Sequence, residues 1–147
     1  MEPVPPGQGP SVPDEGPAET TVALEGEDGC IARARRLTGD FLTRVPGRHG
    51  LAVPARAMDL SQLVVSELVT NALRYASAPV VLQLRVVGAA VEIVVRDGDP
   101  VLPVPRAPDP TRIGQHGLEI VRAVADDFDV AREPVGKRIV VRLGLSE

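Results

Sequence analysis

The strongest constraint on the fold is a pair of strand-like segments joined by a two-residue turn. From Val80 to Val87, polar residues alternate with apolar residues that share one face, namely Leu82, Leu84 and Val86. A second alternating run, Val91 to Arg96, follows the pair Gly88-Ala89. Period-two alternation is typical of a strand with one buried face, and a short glycine-containing turn joins two such strands in a β-hairpin. The chain is therefore predicted to contain an antiparallel sheet that buries one side.

The segments before the hairpin predict a short strand and two helices. The run from Thr20 to Leu24 is β-prone, and apolar residues from Asp28 to Arg44 recur at spacings of three and four, as in an amphipathic helix with Asp28 as its N-cap. A loop is expected next, at Pro46, Gly47 and Gly50. The second helix is expected from about Pro54 to Ala76.

The segments after the hairpin begin with a proline-rich connection. Five prolines lie between Gly98 and Arg112, which excludes a regular element and predicts a loop that serves as a lid. A glycine turn then leads into a helix over Gly114 to Asp127, and strands are expected from Phe128 to Arg132 and after Gly136. The order β-α-α-β-β-lid-α-β-β predicts an α+β fold, a two-layer sandwich of a mixed, mainly antiparallel sheet with helices on one face.

Composition narrows the class of protein. The 147 residues suit one domain, which we expect over residues 19–147, after a disordered Pro/Gly-rich tail over residues 1–18. Aromatic residues make up only 2% and the formal net charge is −4 with no basic block, which argues against nucleic-acid binding. No signal peptide or long apolar span is visible, and the single cysteine, Cys30, cannot form an internal disulfide. A cytoplasmic protein is expected.

The segment Ser66 to Ala76, SELVTNALRYA, holds the first candidate site. Glu67 and Asn71 are four residues apart, so they lie about 40° apart around the helix axis, at the border between the apolar and polar faces. A carboxylate and a carboxamide at such a border need polar partners, which a hydrated Mg²⁺ and a polyphosphate would supply. From spacing alone, two border residues that form hydrogen bonds to a neighbouring loop are the simpler interpretation of the pair.

Three further segments carry candidate residues. Asp97 closes the core-facing row of the hairpin, where it could accept a hydrogen bond from an adenine amino group or cap a turn with Gly98. In GQHGLEIV, Gly114 and Gly117 bracket a turn at a helix N-terminus, which can bind an anion, and His116 in that turn either contacts a phosphate or is exposed. In GKRIVV, the side chain of Lys137 is either solvated or directed at a nucleotide.

In this order the segments resemble the GHKL superfamily of ATPases and kinases, and most closely the anti-sigma-factor serine/threonine kinases and their short actinobacterial relatives. The resemblance covers residues 20 to 145, and SELVTNALRYA, similar to the family's N box, is its most specific part. It implies that Asn71 coordinates Mg²⁺ on ATP, that Glu67 is the general base, and that Asp97 binds the adenine amino group. The nucleotide-binding set is completed by Gly98, Gly114, His116, Gly117, Leu118 and Lys137.

The resemblance also implies a function. A protein of this kind would transfer phosphate from ATP to a serine or threonine of a STAS-type anti-anti-sigma protein, would act in partner switching, and could bind a sigma factor or form a homodimer. The alternative is an ATP-binding module without catalysis, in which the ordered lid binds a regulatory partner. A Walker-type NTPase is excluded, since no Gly-x-x-x-x-Gly-Lys-Ser/Thr run is present.

Overall fold

The computed structural model describes residues 18–26, 29–49, 53–75, 79–98, 117–134 and 136–145, with backbone alone at residues 45–49 and 75. The elements, in chain order, are β1 (Glu19–Leu24), α1 (Cys30–His49), α2 (Ala55–Tyr75), β2 (Val80–Val87), β3 (Ala90–Asp97), α3 (Gly117–Val124), β4 (Asp127–Arg132) and β5 (Lys137–Gly144). This order agrees with the one that the sequence predicts. The predicted tail, the lid and the N-cap Asp28 lie outside the described residues, apart from Ala18 and Gly98 at their edges.

The strands form one five-stranded sheet in the order β1-β2-β3-β5-β4. Each of its four strand pairings is antiparallel, with the predicted hairpin at the centre, where Leu84 lies opposite Ile93. β5 enters between β3 and β4, so the last strand of the chain has a partner on both sides. The predicted α+β class with a mainly antiparallel sheet is confirmed. Ala18, at the end of the predicted tail, is already buried, and its carbonyl accepts a hydrogen bond from the Val86 amide.

Two helix ends differ from the prediction: α3 ends at Val124, not Asp127, and α1 is longer than expected. α1 continues to His49, through Pro46 and Gly47, where the sequence predicted a loop. The prediction was wrong because it treated proline as a terminator. A proline ring keeps φ close to its helical value, so a helix can pass through it at the loss of one backbone hydrogen bond.

The core lies between the helices and one face of the sheet. Alternate residues of the inner strands are fully buried there, among them Leu82, Ile93, Val95 and Ile139, and α2 covers them with Val64, Leu68 and Ala72. Burial of each of these Val, Leu and Ile side chains stabilises the fold by about 1.5–3 kcal/mol. α1 packs on α2 at Gly39, where a Cβ would come within 2.8 Å of the Gln62 side chain, which donates to the Arg35 carbonyl at 3.1 Å.

The last turns of α2 lie at one particular end of the sheet. A Cβ at Gly26, just beyond the end of β1, would contact Leu73 of α2 at 3.8 Å. At that same end Leu24 pairs with Val80, Val81 with Arg96, and Asp97 with Lys137. The C-terminal part of α2, the end of β3 and the start of β5 therefore lie at the same end of the sheet.

The opposite face of the sheet is lined by charged residues in its described strands. An open groove of about 520 Å³ runs across it, bordered by side chains that include Arg85, Glu92, Arg96, Asp127, Arg138 and Arg142. Arg142 donates to Glu92 at 2.7 Å, and this hydrogen bond raises the pKa of the Arg142 guanidinium. This groove lies on the other side of the sheet from the predicted site residues.

Within the part of the chain that the structure describes, no helix combines the length and the apolar character that crossing a bilayer requires.

Gly136 is expected to tolerate no side chain. Its φ is 88°, and a Cβ there would overlap the carbonyl oxygen of Asp97. Alanine at this position should lower the free energy of unfolding by about 3 kcal/mol or more, because the steric overlap adds to the cost of a left-handed backbone. Urea unfolding followed by circular dichroism measures the loss.

Gly88→Ala is the matched control. Gly88 also has a positive φ, 62°, but nothing lies within 4 Å of its Cβ position. The free energy of unfolding of this variant should fall by only about 1–2 kcal/mol, the cost of the backbone conformation alone. Equal losses in the two variants would contradict the close approach of Gly136 to Asp97.

Candidate functional site

The structure brings Glu67 of α2 to the first residue of α3. A Cβ built on Gly117 would lie 2.6 Å from Oε1 of Glu67 and 3.6 Å from the Glu67 Cβ. Only a residue without a side chain leaves room for the carboxylate in this position. The carboxylate therefore lies beside the N-terminal turn of α3, where the unpaired amides and the helix dipole favour negative charge.

Asn71 follows Glu67 by one helical turn. Both side chains are half-buried, as expected for residues at the border between the packed and exposed faces of α2. Asn71 comes two residues before Leu73, whose side chain lies 3.8 Å from the Cβ position of Gly26 at the end of the sheet. It supplies a neutral carboxamide oxygen, a ligand type that suits Mg²⁺.

Asp97 and Lys137 form a buried ion pair at that sheet end. Nζ of Lys137 donates to Oδ1 of Asp97 at 3.0 Å, and their side chains are only 3% and 1% exposed, respectively. The two residues face each other directly in the antiparallel register of β3 and β5. In each strand the alternate residues on the same face as Asp97 or Lys137 are buried, so both side chains lie on the side of the sheet that the helices cover. The prediction that Asp97 faces inward is confirmed.

The backbone around this pair is tightly packed. The left-handed turn at Gly136 brings β5 against the backbone of Asp97 and Gly98, where a Cβ at Gly136 would be 2.6 Å from the Gly98 Cα. Lys137 comes directly after this turn. The contact between the two strands therefore sets the position of both charged side chains.

The remaining predicted residues have different surroundings. Gly98 is exposed, with nothing within 4 Å of its Cβ position. Leu118 is buried and belongs to the hydrophobic core, so only its backbone amide, in the first turn of α3, remains suited to an anion. Gly114 and His116 lie outside the described residues.

The arrangement combines groups suited to different parts of a nucleotide. Asp97 and Lys137 provide a buried acceptor and donor at the sheet end, and Asn71 provides a carboxamide oxygen on the neighbouring helix. Glu67 lies where that helix meets α3. Among the described residues, no three His, Cys, Asp or Glu side chains converge on a point that would hold a metal ion. A cation held by Asn71 would therefore take further ligands from water and phosphate, as Mg²⁺ commonly does.

Sequence reasoning did not predict that Lys137 pairs with Asp97. The two residues are 40 positions apart and belong to strands that are not consecutive in the chain. The signal in the sequence was alternation along β5, which puts Lys137 on the same inward face as Ile139 and Val141. Arg138, by contrast, lies on the other face near Glu133. The contact between Glu67 and Gly117 has no local sequence signal.

Comparison with solved structures finds the same fold. The structure of the RsbU and RsbW domains of Rv1364c from Mycobacterium tuberculosis aligns with a TM-score of 0.64 and 18% identity, over 88% of this chain and 32% of that one. The chain thus spans about a third of that protein's structure. Two structures of the blue-light activated histidine kinase EL346 of Erythrobacter litoralis give TM-scores of 0.47 and 0.48 at 20% and 23% identity, covering 76% and 80% of this chain and 61% and 41% of theirs.

Comparison of the sequence with curated proteins gave no match. Comparison with models of protein families matched residues 31–143 to the histidine kinase-like ATPase domain, which includes all the candidate residues named above. The match extends over more than three quarters of the 147 residues, from the start of α1 to the end of β5. The chain therefore belongs to the family of histidine kinase-like ATPase domains.

Proposed function

We propose that this protein binds Mg²⁺-ATP at the sheet end formed by β3, β5 and the last turns of α2. We further propose that it transfers the γ-phosphate to a serine or threonine of a STAS-type anti-anti-sigma protein. The observation that carries the proposal is the buried Asp97 at the end of β3, a strand that contacts α2, the helix that carries Glu67 and Asn71. Family membership supports ATP binding, and the fold shared with a structure that contains an RsbW domain supports the choice of partner.

Each residue has a distinct part in this proposal. Asp97 accepts a hydrogen bond from the exocyclic amino group of adenine. Asn71 would hold the Mg²⁺ that accompanies the triphosphate, and the ion would neutralise phosphate charge. The amides at the start of α3, from Gly117 and Leu118, lie at a helix N-terminus, which attracts phosphate oxygens. Phosphoryl transfer depends chiefly on such positioning and on charge neutralisation.

Glu67 is the proposed general base for the hydroxyl of the incoming serine or threonine. A base must lie within hydrogen-bond reach of the proton that it accepts. The Glu67 carboxylate lies beside Gly117 at the start of α3, next to the amides proposed for phosphate. In this proposal, a hydroxyl that approaches a phosphate bound at those amides comes within reach of this carboxylate.

The second candidate function is ATP-dependent binding of a protein partner without catalysis. The specific observation in its favour is that the Glu67 carboxylate lies against Gly117, where it can hold α2 to α3 instead of acting as a general base. Incubation with ATP radiolabelled at the γ-phosphate and a panel of STAS-domain proteins distinguishes the two. Stable ATP binding with no labelled partner would favour the binding module.

Asn71→Ala should remove the effect of Mg²⁺ on ATP binding. We expect the wild type to bind ATP more tightly with Mg²⁺ than with EDTA, and the variant to bind about equally in both, because its metal ligand is gone. Isothermal titration calorimetry measures the ratio of the two dissociation constants. Thr70→Ala, a half-buried polar residue next to Asn71, is the control and should keep the metal dependence. A Mg²⁺ effect that persists in Asn71→Ala would remove this residue from the metal site.

Glu67→Gln should abolish phosphate transfer while ATP still binds, because the amide keeps the shape of the side chain but cannot accept the proton. We expect a loss of at least about 100-fold in the transfer rate, the lower end for a general base. Single-turnover transfer of labelled phosphate measures it, with ATP affinity determined in parallel. Asp59→Asn, a charge removal earlier on α2, should leave the rate unchanged. Wild-type transfer by Glu67→Gln would show that another group is the base.

A further inference from the structure

The outer face of the sheet carries charged residues in rows that cross the strands. One row follows the strand register from edge to edge with alternating signs, through Glu19, Arg85, Glu92, Arg142 and Asp127. Opposite charges that face each other across neighbouring strands stabilise a sheet. The last four of these residues line the open groove of about 520 Å³, together with the apolar side chains of Val94 and Val140.

Arg85 is the member of this row that has no partner. Its exposed side chain forms no hydrogen bond or ion pair with any of the described residues. The two carboxylates in register with it have other donors, since Glu19 accepts from Gln83 at 2.6 Å and Glu92 accepts from Arg142 at 2.7 Å. The Arg85 guanidinium therefore has its donors available for a further anion.

The other side of the groove also has more guanidinium groups than carboxylates. Arg96 and Arg138 lie directly opposite each other in β3 and β5, an unfavourable arrangement for like charges. They share one carboxylate, because the same Glu133 oxygen lies 3.4 Å from Arg96 Nε and 3.7 Å from Arg138 Nη1. Nε of Arg138 has no hydrogen-bond partner among the described residues. Asp129, the remaining acid of the groove, lies on the edge strand β4.

We propose that this groove binds residues 12–15 of the same chain, Val-Pro-Asp-Glu, which we call the acidic segment. Its two carboxylates bind to Arg85 and to the pair formed by Arg96 and Arg138, and its valine packs on Val94 and Val140. The inference goes beyond the proposed function and does not depend on it, because the groove lies on the face of the sheet opposite to the candidate site.

Charge and point of entry favour this segment as the occupant. Residues 1–17 contain three acidic residues and no lysine or arginine. The chain enters the sheet beside the groove, since the Ala18 carbonyl accepts from the Val86 amide and the next residue, Glu19, already bonds to Gln83, which lines the groove. The acidic segment is thus attached at the edge next to Arg85.

The connection is long enough for the contact. Asp14 precedes Ala18 by four residues, which span up to about 13–14 Å when extended. Arg85 belongs to the strand next to β1, about 5 Å away. The intervening pair Gly16-Pro17 is typical of a turn, which the chain needs in order to return across the face.

Attachment compensates for the weakness of each contact. An exposed ion pair contributes little by itself. A short linker, however, keeps the acidic segment at an effective concentration in the millimolar range, so that a few weak contacts can hold it on the groove. A separate acidic protein segment would have to compete with it for the same arginines.

The test places a nitroxide spin label next to the acidic segment in the full-length chain. The label is attached at Ser11→Cys in a Cys30→Ala background, so that the native cysteine is not labelled. Paramagnetic relaxation enhancement is then measured at the backbone amides of Val94 and Val140, in the groove. The same measurement is made on three charge variants, Arg85→Gln, Asp14→Asn/Glu15→Gln and Arg36→Gln.

We expect strong enhancement at both groove amides in the parent protein. It should fall by about two- to five-fold in Arg85→Gln and in Asp14→Asn/Glu15→Gln, the effect of losing exposed ion pairs on the bound population. Arg36→Gln is the matched control and should keep the enhancement, because it removes an exposed cation on α1, on the other side of the sheet. Amide spectra of each variant establish that it is folded.

Three results would overturn the proposal. One is enhancement that persists in both Arg85→Gln and Asp14→Asn/Glu15→Gln. Another is enhancement in a mixture of isotope-labelled chains without nitroxide and unlabelled chains that carry it, which would assign the groove to the segment of a second copy. The third is the absence of enhancement at Val94 and Val140 in the parent protein, which would leave the groove open to a different partner.

Discussion

The close approach of the Gly136 backbone to Asp97 determines how β5 lies against β3. Because no Cβ fits between them, the left-handed turn at Gly136 and the end of β3 form one tightly packed unit. This unit places Lys137 opposite Asp97 and starts the register in which Ile139 and Val141 fill the core beneath α2. The packing of the last strand and the position of the buried charges thus depend on the same contact.

Local patterns in the sequence were sufficient for most of the fold. The alternation in β2 and β3 predicted the hairpin with nearly the observed bounds, because one buried face imposes period two on consecutive residues. The predicted end of α1 was wrong, because Pro46 was taken to terminate a helix that continues to His49. At that point the sequence carries a local signal that the rest of the helix overrides.

The candidate site was predictable only in its separate parts. Alternation along β3 identified Asp97 as an inward-facing residue, and the four-residue spacing on a helix identified Glu67 with Asn71. In the structure Asp97 contacts Lys137, and Glu67 contacts Gly117; both of these partners come from later segments of the chain. The sheet order that places β5 next to β3 is a non-local property. No periodicity within a segment encodes such a pairing, so the ion pair and the contact between α2 and α3 required the structure.

The two consecutive cations of β5 limit where the chain can change length. Lys137 enters the interior and Arg138 lies on the charged outer face, because successive strand residues point to opposite sides. Deleting Lys137 would bring the bulkier guanidinium of Arg138 beside Asp97 and turn Ile139 outward, whereas inserting one residue after Gly136 would place the inserted residue beside Asp97 and turn Lys137 and Ile139 outward. Length variation among related chains should therefore be concentrated ahead of Gly136, in the connection from β4, while the spacing from Gly136 to the end of β5 stays constant.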